Sequence, residues 1–419
     1  MNVMKLLEKY KEFVPTVTLI GIVLLFVGGT YVIDNLKIDS FKMGAESILS
    51  KDLPELKELA GTQWEFQKYS TYFQQLADKK GGVYAYRVLL EAPFPKGTDL
   101  HLLGHVVGDM LYKQKGLSGI NSCTPDFRNA CSHSIVVGYL RDHGEGALPE
   151  IVKTCKEAPG GRGAYTMCFH GLGHGVLAFV GYDLEKAVNL CQKTGTPEFQ
   201  NREYMECTGG TIMEMIAGVH DRDVWATQKD RFFKKSDPLY PCNAPFMPDE
   251  VKSVCYVQLT PHLFEAAGGD LGNLKPSVFA KAMSYCAAIP KTDSMLRNSC
   301  YSGFGKEYIV LAQDRDIRDM GASKPEALKT VRDACAKAGD EEGEDACNMS
   351  ALNSLFWGGE NNPDASFSYC EIASGEAKDQ CYRNLAGNIN FYLSGNPKSK
   401  ALCERLPSEY KSSCSKSLR

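Results

Sequence analysis

The stretch CEIASGEAKDQCYRNLAG, at residues 370–387, decides the fold that the sequence predicts. Its first cysteine ends a helix-like segment, DASFSYC, and its second opens another, CYRNLAGNINFYL. A polar turn, EIASGEAKDQ, separates the two cysteines. A disulfide across this turn would join the end of one helix to the start of the next. The stretch therefore predicts a helical hairpin with a disulfide near its tip.

The 16 cysteines of the 419-residue chain all follow this arrangement, with separations of 8 to 16 residues inside a pair and 22 to 35 between pairs. An even count with such regular alternation predicts sequential disulfides in an oxidising compartment. A thiolate metal site is the alternative, but zinc ribbons and iron–sulfur sites use C-x2-C or C-x4-C steps, which do not occur here. The predicted pairs are Cys123/Cys131, Cys155/Cys168, Cys191/Cys207, Cys242/Cys255, Cys286/Cys300, Cys335/Cys347, Cys370/Cys381 and Cys403/Cys414.

Repeated helix–loop–helix units predict an all-α fold in which the hairpins stack as an α-solenoid, because each unit must bury its apolar face against its neighbours. From Cys123 to Cys414 the cysteine architecture resembles that of bacterial secreted cysteine-rich helical-hairpin repeat proteins, relatives of the Sel-like and tetratricopeptide families. Their regular unit length is absent, since first cysteines here are 32 to 51 residues apart. The resemblance implies a fold but no histidine site.

Near the N-terminus, residues 13–33 form a 21-residue run without a charged side chain. A helix of this length is about 30 Å long, which matches the bilayer core. The run exceeds the ~7–15 residues of a signal-peptide core and no A-x-A-like site follows, so an uncleaved anchor is favoured over a cleaved signal peptide. A slight excess of lysines before the run places the N-terminus in the cytoplasm.

These features predict a single-pass protein of the cell membrane whose main domain is extracytoplasmic. The net charge is −4 and basic residues form no block, so nucleic acid is not an expected partner, whereas the membrane and an envelope protein are. The predicted segments are a cytoplasmic tail (1–12), the transmembrane anchor (13–33), a juxtamembrane segment (34–60) and an α-helical repeat domain (61–419), with histidine-bearing units at 95–215 and C-terminal units at 242–419.

Five of the eight histidines fall at matching positions of three successive units. HLLGHVV (101–107) and HGLGHGV (170–176) align at both histidines and at the Leu-Gly between them. His133 and His170 each lie two residues after the second cysteine of their unit. Equivalent positions of a repeat face the same way, and histidines four residues apart share one helix face. The predicted cluster comprises His101, His105, His133, His170 and His174.

A histidine-rich cluster with few carboxylates suits zinc, copper or iron better than magnesium or calcium. Glu214, in the fourth unit, is a candidate ligand or catalytic acid/base, and Asp109 is a candidate hydrogen-bond partner for His105. His262 is a weaker candidate for the cluster, while His143 and His220 are expected in a loop and at a helix end. Glycines beside the histidines indicate that another backbone or a ligand approaches closely.

Common catalytic motifs such as HExxH and G-x-S-x-G are absent, so whether the protein is an enzyme stays open. The favoured hypothesis is a membrane-anchored extracytoplasmic metal-binding protein, either a metal-dependent enzyme or a metal-handling protein. The alternative is a non-catalytic helical-repeat scaffold for protein–protein interactions in the cell envelope, with structural histidines. A third hypothesis is a binder whose clustered imidazoles protonate near pH 6.

Overall fold

The computed structural model of the chain describes residues 53–95, 98–159, 161–218, 222–270, 274–312, 323–358, 363–393 and 398–416. Within these ranges the chain forms α-helices and short 3-10 turns, and its only strand-like pairing is an isolated bridge between Lys234 and Asp237. The predicted all-α class is therefore confirmed.

The α-helices of the described ranges are α1 (Pro54–Leu59), α2 (Phe66–Lys80), α3 (Gly82–Glu91), α4 (Leu100–Lys115), α5 (Ala130–His143), α6 (Leu148–Glu157), α7 (Gly161–Phe179), α8 (Leu184–Gln192), α9 (Arg202–Ala217), α10 (Arg222–Gln228), α11 (Asp249–Gln258), α12 (Thr260–Ala266), α13 (Phe279–Ser284), α14 (Ser294–Ala312), α15 (Pro325–Cys335), α16 (Glu341–Gly358), α17 (Asp364–Glu371), α18 (Gly375–Tyr392), α19 (Lys398–Arg405) and α20 (Ser408–Lys416).

Two compact units divide the chain, residues 1–58 and residues 59–419. Of the first unit, residues 53–58 are described, and they make up most of α1. The predicted anchor at residues 13–33 and the tail before it lie outside the described residues. Among the helices that the structure does describe, none is both long and apolar enough to cross a bilayer.

All eight predicted disulfides are present, each between cysteines that are neighbours in sequence. Their Cα–Cα distances of 5.4 to 5.7 Å lie in the ordinary range for a bridge. One expectation is wrong: in most units the second cysteine does not open its helix. In α9, for example, the helix begins at Arg202, five residues before Cys207.

Helix α4 and the helices that carry the second cysteines contact one another in chain order. Helix α4 packs on α5, α5 on α7, α7 on α9, and α9 on α11. The series continues through α14, α16, α18 and α20, each in contact with the next. The helices of the first cysteines, such as α6 and α8, pack on the longer helix that follows them. Each unit therefore buries its apolar residues against its neighbours.

Glycines bring α7 and α9 into contact backbone to backbone. A Cβ atom on Gly173 of α7 would lie 1.9 Å from the carbonyl oxygen of Cys207 in α9. A Cβ atom on Gly210 of α9 would lie 1.9 Å from the carbonyl oxygen of His170 in α7. Because both obstacles are backbone atoms of packed helices, neither position has room for a side chain.

The same contact recurs further along the chain. A Cβ atom on Gly305 of α14 would lie 1.9 Å from the carbonyl oxygen of Cys347 in α16. Gly173 and Gly305 each lie five residues after the second cysteine of their unit, and the carbonyl they meet belongs to the second cysteine of the following unit. The repeat in the sequence is thus accompanied by a repeated contact between helices.

Candidate functional site

Five imidazole rings lie together where α4, α5 and α7 pack side by side. The ring of His133 is central, with its centroid 5.9 to 6.4 Å from the centroid of each of the other four. The two histidines of α4 have their centroids 4.7 Å apart, and the two of α7 have theirs 5.2 Å apart. The structure therefore brings together all five histidines of the predicted cluster, which are His101, His105, His133, His170 and His174.

Glycine explains how the central ring fits between two helices. A Cβ atom on Gly171 of α7 would lie 2.3 Å from Cδ2 of His133. The imidazole of α5 therefore occupies space that any other residue at position 171 would fill. His133 is 1% exposed, so the centre of the cluster is sealed from solvent. This fulfils the expectation that glycines beside the histidines permit close approach of a neighbouring helix.

The two histidines of α4, His101 and His105, form the α4 pair, and each ring is oriented by a contact at its Nδ1 atom. His101 Nδ1 donates to the carbonyl oxygen of Phe127 at 2.7 Å, and His105 Nδ1 lies 3.1 Å from Ser134 Oγ. The Ser134 hydroxyl donates its proton to the carbonyl oxygen of His105 at 3.0 Å, so Ser134 Oγ accepts from His105 Nδ1. In the neutral rings both Nε2 atoms then carry lone pairs. These two Nε2 atoms face each other at 3.2 Å.

A strained segment presents the carbonyl that orients His101. Phe127, Arg128 and Asn129 have φ values of 54°, 55° and 62°, the left-handed region that residues other than glycine rarely adopt. Three such residues in succession carry a penalty of roughly 1–2 kcal/mol each. The turn that they form aims the Phe127 carbonyl at His101, so local strain is stored beside the cluster.

Two glutamates of α9 lie beside the α7 pair, His170 and His174. His174 Nδ1 donates to Glu214 Oε2 at 3.1 Å, and the side chain of Glu214 is completely buried. His170 Nδ1 lies 3.7 Å from Glu206 Oε2, which is within ion-pair range. Each glutamate therefore faces the Nδ1 side of one imidazole.

The charge on Glu206 is maintained despite its surroundings. Burial by itself would raise the pKa of Glu206, but contact with His170 and the positive charge of Arg202 outweigh that effect, so its pKa lies below the ordinary value. Arg202 approaches the other carboxylate oxygen at 2.6 Å. A carboxylate that stays ionised is the stronger acceptor for an imidazole N–H.

Three rings thus have Nδ1 hydrogen-bonded to a backbone carbonyl, a hydroxyl or a carboxylate, while Nδ1 of His170 lies 3.7 Å from a carboxylate. Metal-bound histidines almost always use their second ring nitrogen in this way, because the acceptor fixes the tautomer and makes the ligating nitrogen more basic. Three of these acceptors, Phe127, Ser134 and Glu206, were not predicted from the sequence. Asp109, the partner predicted for His105, is exposed, and its negative charge raises the pKa of Arg141.

The distances within each pair fit a shared ion, whereas the third ring is too far away. Two imidazoles bound through Nε2 to one tetrahedral ion at 2.0–2.1 Å place these nitrogens about 3.3 Å apart and the ring centroids about 5.2 Å apart. The centroid distances within the two pairs lie close to the value expected for a shared ion. The centroid of His133 lies up to about 1 Å farther than that value from the other rings. Accordingly, no three His, Cys, Asp or Glu side chains of the described residues form a ready-made ligand set.

The two other histidines of the described residues stack on aromatic rings. His143 is exposed and stacks on Tyr139 at a centroid distance of 4.1 Å. His262 stacks on Phe233 at 3.9 Å, so the sequence-based suggestion that it joins the cluster is not borne out by its described contacts. His220 lies outside the described residues.

Comparisons with known proteins leave the site to be interpreted from its own geometry. No protein-family model, curated protein or solved structure matches the chain.

His262 is expected to make folding stability depend on pH. Burial, aided by the charge of Lys229 and opposed by that of Glu265, lowers its pKa from 6.5 to about 4. The unfolded chain then binds a proton at a higher pH than the folded one, so the free energy of unfolding falls as pH drops from about 6.5 towards 4. Because the ring is only partly buried, we expect a loss on the order of 1–2 kcal/mol by pH 5.

Urea unfolding of the wild-type protein and the His262→Gln variant at pH 7.0 and pH 5.0 measures this effect. The wild type should lose more stability than the variant between the two pH values, since glutamine does not titrate. Equal losses in both proteins would show that His262 does not contribute.

Proposed function

We propose that the protein is a membrane-anchored, extracytoplasmic metal-binding protein whose histidine cluster holds a transition metal such as zinc, copper or iron. The observation that supports this most strongly is the orientation of three imidazoles by hydrogen bonds at Nδ1, which leaves their Nε2 atoms as the ligating positions. The 3.2 Å approach of two Nε2 atoms on α4 supports it further. His133 lies between the two pairs, with its ring centroid 5.9 to 6.4 Å from each of the other four.

Glu214 is proposed to position His174 rather than to transfer protons. Its carboxylate is fully buried and engaged with His174 Nδ1, so it has no open path to a substrate on that side. An acceptor of this kind raises the basicity of the opposite nitrogen, Nε2, and so strengthens its bond to a metal ion.

The α-solenoid arrangement and the cellular location belong to the same proposal. Contacts between longer helices in chain order, together with glycines at repeated positions, support a stack of hairpins. Eight disulfides support folding in an oxidising compartment, and the uncharged run at residues 13–33 supports attachment to the membrane.

Elemental analysis tests the proposal. The full chain would be produced through an oxidising route without a histidine tag, purified in detergent, loaded with zinc, copper or iron, and washed with chelator. We expect about one metal ion for each imidazole pair in the wild type and at most about half of that total in a His170→Gln/His174→Gln variant, which loses one of the two pairs. His143→Gln, at an exposed histidine outside the cluster, is the matched control and should retain the wild-type metal content.

One result would decide for the scaffold function instead. If the wild type retains no metal after any loading although its eight disulfides are intact, and the double variant cannot fold, the histidines act in packing between helices. Function would then be sought on the outer surfaces of the helical units.

A further inference from the structure

The two ends of the cluster differ in chemistry. At the α4 pair, Nδ1 of each ring contacts an oxygen atom, the carbonyl oxygen of Phe127 or the hydroxyl oxygen of Ser134. At the α7 pair a sulfur atom is present: Sδ of Met213, on α9, lies 3.0 Å from Nε2 of His170. This nitrogen is on the opposite side of the ring from Glu206, and it becomes the ligating position when Nδ1 donates to that carboxylate. A thioether therefore lies against Nε2 of one imidazole of the α7 pair.

A thioether is a weak hydrogen-bond acceptor but a good ligand for a soft cation. Methionine sulfur selects Cu(I), whereas zinc and other borderline ions are bound chiefly by imidazole, thiolate and carboxylate. A nitrogen and a sulfur on one tetrahedral ion, at about 2.0 and 2.3 Å, lie about 3.5 Å apart. Binding an ion would therefore lengthen the observed 3.0 Å distance between His170 Nε2 and Met213 Sδ by about half an ångström. Met213 can make this movement because its side chain is unbranched and half-buried.

All 16 cysteines are in disulfides, so no thiolate is available to bind a soft ion. Met213 is then the soft ligand that the described contacts place against the cluster. We propose that His170, His174 and Met213 form a Cu(I) position distinct from the nitrogen-only position at His101 and His105. The inference rests on the proposed metal-binding function and assigns the ion class at one end of the cluster.

Competition for Cu(I) tests this assignment. The full chain in detergent would be titrated with Cu(I) against the chromogenic chelator bicinchoninate, with ascorbate as the reductant so that the disulfides stay closed. We expect Met213→Leu to weaken Cu(I) binding about tenfold or more while leaving zinc content unchanged. The matched control is Met205→Leu, on the same helix, half-buried and about 12 Å away along its axis.

X-ray absorption at the copper edge gives a second measurement that needs no variant. In selenomethionine-labelled wild-type protein loaded with Cu(I), we expect one selenium scatterer in the first coordination sphere. Selenium distinguishes methionine from the sixteen cysteine sulfurs, and the result does not depend on whether Met213→Leu folds.

The outcomes separate the two proposals. If zinc or copper is retained but Met213→Leu binds Cu(I) as tightly as the wild type and no selenium scatterer is seen, the sulfur merely accepts a hydrogen bond from His170 and the Cu(I) position is wrong. If the wild type retains neither metal, the proposed metal-binding function fails as well.

Discussion

Replacing Gly173 with alanine is expected to destabilise the fold by about 3 kcal/mol or more, or to prevent folding altogether. The new methyl group would lie 1.9 Å from the carbonyl oxygen of Cys207, a backbone atom of α9 that the Cys191–Cys207 disulfide holds in place. Relief requires α7 and α9 to move apart. That movement would also disturb the contact between Gly210 and the carbonyl of His170.

A matched substitution isolates the steric effect from the helix propensity of alanine. Gly387 lies in α18, is exposed, and would have nothing within 4 Å of an added Cβ atom. Gly387→Ala should therefore stabilise the protein by roughly 0.5–1 kcal/mol, because alanine restricts the unfolded chain and favours helix.

Urea unfolding followed by circular dichroism, without reductant, compares the two variants with the wild type. Opposite signs are expected for Gly173→Ala and Gly387→Ala. Should Gly173→Ala be as stable as the wild type, the backbone contact between α7 and α9 would be looser than described, and the orientation of His170 by α9 would need another explanation.

Replacing Glu214 with glutamine is expected to weaken metal binding by about 10–100-fold while leaving the fold intact. Glutamine keeps the shape and an acceptor oxygen for His174 Nδ1 but removes the negative charge that makes Nε2 a stronger ligand. Competition against a chromogenic chelator, with zinc as the probe, measures the change. The folded state is checked by the far-ultraviolet spectrum and by intact disulfides.

Glu203 provides the control, because it is a second buried glutamate on α9 with no described contact to the histidines. It accepts hydrogen bonds from Tyr165 and Thr196, and it is 1% exposed. Glu203→Gln should lower the free energy of unfolding, because a hydrogen bond to a buried charged group is worth about 1.5–3 kcal/mol. Its metal affinity should stay at the wild-type value. An equal loss of affinity in both variants would mean that Glu214 acts through general stability rather than through His174.

The sequence predicted which histidines form the cluster but not which side chains of the neighbouring helix contact them. Matching positions in HLLGHVV and HGLGHGV, and the place of His133 after its cysteine, indicate which helix face each imidazole occupies. They do not indicate what the neighbouring helix presents to that face. Met213 and Glu206 lie 43 and 36 residues from His170, in a helix whose rotation depends on packing, so neither contact has a local signal in the sequence.

The sequence likewise indicates that the glycines permit close packing but not which atoms they contact. Their density around His170 predicted close approach, but the partner of Gly173 is a carbonyl 34 residues away. A search for glycine three and five residues after each second cysteine would have identified these contacts, because the repeat places equivalent backbone atoms there.

Local sequence was therefore sufficient for the features that depend on neighbours in the chain. These are the helical class, the eight disulfides closed over 8 to 16 residues, and the shared face of the histidines. Tertiary packing alone decided the left-handed turn at Phe127, the buried Glu214 beside His174 and the thioether beside His170. The physical reason is that a helical repeat determines the direction of a side chain, whereas the atom that it meets depends on how far and at what angle the next helix approaches.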